Sequence, residues 1–142
     1  PSGEAAQAAS VRASKWDANA HWVELLQMLL HVGGHGTVKR LQTPKLAVML
    51  SCYDALDVQG KRPDSVLADY LPLVSSFIHN VWTQEAVCVW GLSALGKHLD
   101  KDSQDDGFID EGPEKQGWVV APDGGMADPD LTRPISWLLK AG

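Results

Sequence analysis

Seven carboxylates fall within the fifteen residues Asp100–Glu114, with an Asp-Gly step beside an apolar pair in their middle. Clustered acids around a glycine turn are what a calcium loop needs. Its twelve-residue template puts acids or amides at positions 1, 3, 5 and 9, Gly at 6, an apolar residue at 8 and a bidentate Glu at 12. Counted from Asp102, the residues Asp102, Gln104, Asp106, Gly107, Ile109 and Asp110 comply. Position 12 is Pro113, with Glu114 one place late, and Gly112-Pro113 breaks the helix that should leave such a loop. The expectation is a solvated acidic loop. The alternative is a weak calcium site made of Asp102, Gln104, Asp106, Asp110 and Glu114; no other cofactor is expected.

Other candidate chemistry is sparse. His31 and His35 have the i, i+4 spacing that can present two imidazoles to one metal, but Gly33 and Gly34 between them end the helix that would hold them. Lys39, Arg40 and Lys45 surround a helix start expected at Thr43, a place where anions bind, yet no GxxxxGK[ST] pattern accompanies them. Ser93 in "WGLSALG" misses the spacing of a nucleophile elbow by one residue and is expected inside a helix. Cys52 and Cys88 sit among apolar residues without adjacent cations, so two slow-reacting thiols are expected. An enzyme would have to draw on His31, His35 and His79 from separated helices.

Six tryptophans are spread along the chain. Most belong in the core, but Trp118 lies in a glycine-rich region beside the acids. A tryptophan anchor with a polar rim is a common hot spot, which nominates Trp118 with Asp105, Asp106 and Glu111 as a partner-binding surface.

The elements that would position these groups read as helices. Residues 1–13 are small and polar without apolar periodicity, a flexible tail. From Lys15, apolar residues at helical spacing continue to Gly33 and wrap more than half the circumference, which predicts a central helix. Thr43 and Pro44 read as cap and first position of a second helix running to about Asp57. A third starts near Asp64 and is split by Pro72. Thr83, with Trp82 and Val87 as a staple, opens a fourth to about Leu99. Residues 100–130 are an irregular acidic Gly/Pro-rich loop, with short strands at "GFI" and "WVV", and 131–141 form a last short helix with Ile135, Leu138 and Leu139 on one face.

A chain of 142 residues with 44% apolar and 21% charged content is one soluble globular domain, here 14–142. The net charge of −6 argues against nucleic acid as partner. The longest apolar stretch is broken by Glu24 and Gln27, so no membrane span is expected. Two cysteines without CxxC spacing favour a reducing, cytoplasmic setting. The expected fold is all-α, a compact orthogonal bundle of four to five helices. With no catalytic constellation, the expected function is a non-enzymatic protein-interaction module: a regulator, inhibitor, adaptor or accessory domain whose partner is another protein.

Overall fold

The computed structural model describes residues 17–36, 38–56, 58, 60–96 and 116–140. Two short segments, Leu46–Leu50 and Val87–Ser93, are apolar at nearly every position, and both form strands, β1 and β2. They pair in parallel, from Leu46 opposite Val87 to Leu50 opposite Gly91. Strands of a parallel pair are covered on both faces and so lack an alternating polar face. A third strand, β3 (Trp118–Val120), runs antiparallel to β2, with Ser93 opposite Trp118 and Gly91 opposite Val120. The sheet order is β1-β2-β3, which puts β2 at the centre.

Parallel strands need a crossover, and here it is a pair of helices. Helix α2 (Pro63–Tyr70) and helix α3 (Pro72–Val81) are separated by Leu71 alone, as the fixed φ of Pro72 and its missing N–H require. An earlier helix, α1 (Ala18–Val32), starts at Asp17, whose carboxylate accepts from Asn19 N at 3.0 Å, and ends at Gly33. Its first turn also serves its neighbour: Asn19 Oδ1 accepts from Leu73 N at 3.1 Å, an orphan donor at the start of α3. Helix α4 (Arg133–Leu139) follows the sheet.

Val87 and Val89 of β2 pack with Leu67, Val74, Ile78 and Trp82, and with Leu30 of α1, to make the larger core cluster. Trp90, pointing to the alternate face, carries the Arg133 guanidinium 5.7 Å from its ring centre. Helices thus cover both faces of the sheet, and the architecture is α/β.

This overturns the all-α bundle. The expected helix from Thr43 to Asp57 is β1 followed by a 3-10 turn at Tyr53–Ala55. The expected helix from Thr83 to Leu99 is a 3-10 turn at Gln84–Ala86 followed by β2, and the Thr83 hydroxyl caps nothing: it is buried and unpaired. Helix α1 is not central. Only Leu30 is buried along it, and Trp22, Met28, Leu29 and Val32 stay exposed, Val32 by 85%. In α4 it is Pro134 that is buried, while Ile135 and Leu139 face outward. The split at Pro72 and the strand at "WVV" are as expected. The segment "GFI" and the acidic stretch from Asp100 lie outside the described residues. Among the described residues no helix is long and apolar enough to cross a membrane.

Candidate functional site at the carboxyl ends of the parallel strands

In open α/β sheets ligands bind in the crevice beyond the carboxyl ends of the parallel strands. A cavity of about 480 Å³ lies at that place here, lined by Tyr53 and Asp54 after β1, Gly96 after β2, Trp118 at the start of β3, and Lys61 and Gly125 from neighbouring loops.

The chain turns sharply as it leaves β1. Cys52 takes a left-handed φ of 53°, a conformation that costs an L-residue about 1–2 kcal/mol. Tyr53 then buries its ring in a cluster with Val58, Val66 and Val120. Its hydroxyl donates to Lys61 O at 3.3 Å, and burial holds the phenol above its usual range. With Tyr53 anchored, the next residue, Asp54, stands half-buried at the cavity wall, and its carboxylate forms no hydrogen bond or ion pair with any described residue. Lys61 is engaged elsewhere, with Asp69 at 3.0 Å, and that carboxylate raises its pKa.

The exit from β2 is fixed from two sides. Ser93 is fully buried, and its Oγ accepts from Gly96 N at 2.9 Å. Gly96 O accepts from the Trp118 indole N–H at 3.0 Å. Gly96 itself has a φ of +75°, and a Cβ there would collide with Gln116 O, so the close approach of the two loops requires glycine. The Trp118 ring meets Tyr53 edge to face, with centres 6.4 Å apart.

Trp118 is therefore half-buried and part of the cavity rather than a free-standing anchor. Its nominated neighbours Asp105, Asp106 and Glu111, and the cation ligands Asp102, Gln104, Asp106, Asp110 and Glu114, lie outside the described residues. His31 is exposed in the last turn of α1 and His35 lies beyond its C-cap; no three His, Cys, Asp or Glu among the described residues are placed to hold a metal ion. His79 is held by Asp64 at 3.1 Å and by Ser75 O at 2.8 Å. Lys45 donates to Lys140 O at 2.6 Å and lies over Trp137, and no helix starts at Thr43 for it to flank. Ser93 ends a strand rather than lying inside a helix, and its hydroxyl is spent on Gly96. Cys52, expected to be a slow-reacting thiol, is exposed, whereas Cys88 is half-buried and burial pushes its pKa up to about 11.

The residues missed from sequence are Asp54 and Tyr53, together with the glycine pair Gly91 and Gly96. Residues Gly91–Lys97 spell the first seven positions of GxxxxGK[ST], with His98 where Ser or Thr should stand. In the fold, Gly91, Leu92 and Ser93 are ladder residues of β2, so they do not wrap a phosphate. The model of the Double-GTPase 1 family matches residues 2–138. The chain belongs to this family. No curated protein and no solved structure matches it. Membership of Double-GTPase 1 replaces the expected non-enzymatic helical interaction module with a GTPase-associated domain.

Proposed function

We propose that this domain binds a guanine nucleotide and that the cavity beyond β1 and β2 receives the base. The carrying observation is the Asp54 carboxylate, which lines the cavity without a partner among the described residues. Guanine presents two adjacent donors, N1–H and the exocyclic N2–H, and a carboxylate is a pure acceptor with two oxygens that match them. Hydrogen bonds to an ionised acceptor are the strong ones, about 1.5–3 kcal/mol net. Adenine has an acceptor at N1 and no amine at C2, so it would set a lone pair against the carboxylate. The buried Tyr53 ring and the left-handed turn at Cys52 hold Asp54 in place before ligand arrives, which lowers the ordering cost of binding. Family membership supports the reading, and base recognition is the step assigned to the described residues.

Calorimetric titration with GDP, ADP and XDP tests it. The wild-type domain is expected to bind GDP and to discriminate against ADP. Asp54→Asn replaces one acceptor by a donor, so it should weaken GDP and favour XDP, whose C2 carbonyl accepts where guanine donates. Absence of GDP binding by the wild type, or an unchanged preference in Asp54→Asn, overturns the proposal.

A further inference from the structure

Asp54 accounts for the edge of the base but not for its faces. A purine is a flat π-system of large apolar area, and a site that only paired its edge would leave both faces in water. Bases on proteins are commonly held by an aromatic platform. The cavity beyond β1 and β2 has two aromatic residues in its lining, Tyr53 and Trp118, and they are placed differently. Tyr53 is buried and turned into the core. Trp118 is half-buried, its indole N–H is tied to Gly96 O, and it lines the cavity from the start of β3.

We infer that Trp118 is the stacking wall of the base site, a specificity-independent contact that supplies affinity while Asp54 supplies selection. This rests on the guanine-nucleotide reading above. Three restraints hold the indole before ligand binds: its N–H bond to Gly96 O, the edge-to-face contact with Tyr53, and its backbone in the ladder opposite Ser93. A ring so held loses little rotamer freedom on binding, the condition under which stacking area converts into affinity. Two of those restraints involve the same neighbours that set the site's other groups. Tyr53 directly precedes Asp54, and Gly96 belongs to the turn leaving β2. Wall and carboxylate are therefore positioned by one buried cluster.

The division of labour has a sharp consequence. Stacking does not distinguish one purine from another, because every base has a π-face. Loss of the wall should lower affinity for all purine nucleotides alike, while loss of the Asp54 carboxylate should change their order.

The test uses the domain with GDP and XDP as probes. Trp118→Leu should bind GDP roughly 5- to 150-fold more weakly, the range of one aromatic–base stack of about 1–3 kcal/mol. Its GDP/XDP preference should equal that of the wild type. Trp118→Phe keeps a ring and should recover most of the affinity. GDP should quench tryptophan fluorescence in the wild type and lose that effect in Trp118→Phe, a signature that a merely structural role for Trp118 would not move. If Trp118→Leu fails to fold, Trp118→Phe still decides, through retained binding with lost quenching. If the wild type does not bind GDP, the functional reading falls and this inference with it. If the wild type binds GDP and Asp54→Asn shifts its preference, but Trp118→Leu binds as tightly as wild type or GDP quenches Trp118→Phe as fully, the wall alone is overturned.

Discussion

The ring of Tyr53 occupies the space a side chain at position 91 would need: a Cβ built on Gly91 would lie 2.8 Å from the Tyr53 ring carbons. The bare backbone of β2 and the aromatic residue after β1 are thus one packing unit, and Asp54 follows Tyr53 directly. Gly91→Ala should therefore overpack the site and destabilise the domain by about 1–3 kcal/mol. Urea unfolding measures this. In a Tyr53→Ala background the same substitution should cost clearly less, since the clash has been removed, and that non-additivity is the signature of direct contact.

Ser93→Ala tests the turn that leaves β2. The Ser93 hydroxyl is the acceptor for Gly96 N–H and is fully buried. Its removal takes the partner from the half-buried Gly96 N–H, a loss of about 0.5–1.5 kcal/mol. Faster amide exchange at Gly96 in the variant is the local readout; unchanged protection there would contradict the assignment.

The two cysteines should differ in reactivity. Cys52 is exposed and should react with a maleimide promptly in the native protein, while Cys88 is half-buried and protonated at neutral pH and should react slowly until the domain unfolds. Because Cys52 holds a φ of 53°, Cys52→Gly should be neutral or stabilising, by up to about 1 kcal/mol. Mass-spectrometric labelling and urea unfolding check the pair.

Alkali should weaken the fold through Cys88. Burial, the largest cause, raises its thiol to about 11, only partly countered by the bond from the Trp90 indole N–H. In the unfolded chain the thiol ionises near 9, so between about pH 9 and pH 11 the unfolded state holds fewer protons than the native one. Stability is fully present below that window and falls across it. The raised phenol of Tyr53 acts in the same direction. Tm followed from pH 8 to 11 should drop, and Cys88→Ala should flatten part of the drop.

Much of the helical part was legible. Gly33 and Pro72 mark ends and breaks for stereochemical reasons that tertiary context does not override, and the structure places them accordingly. The strands were not legible, because "LAVML" and "VCVWGLS" are continuous apolar runs, and periodicity cannot tell a doubly covered strand from a buried helix. Thr43-Pro44 and Thr83 added false helix starts. A usable signal did exist: two short apolar runs that contain Val, each followed by small or turn residues and separated by a helical stretch, spell strand–helix–strand. That reading would have put Asp54 at a carboxyl end and drawn attention to it. Trp118 stood out from sequence for its surroundings, but as an exposed anchor; the fold makes it the first residue of β3 and a wall of the cavity.

The parallel pairing of β1 with β2 also governs how the chain reaches this state. Each ladder partner is separated in sequence by about forty residues, so no hairpin can zip the first two strands together, and loop closure precedes the reward. Helices α2 and α3, local and adjacent, can form early and shorten the gap. Formation of the sheet, and with it the cavity, is then expected to be a late event, slower than the assembly of a helical bundle of this length, and stopped-flow refolding measures that rate.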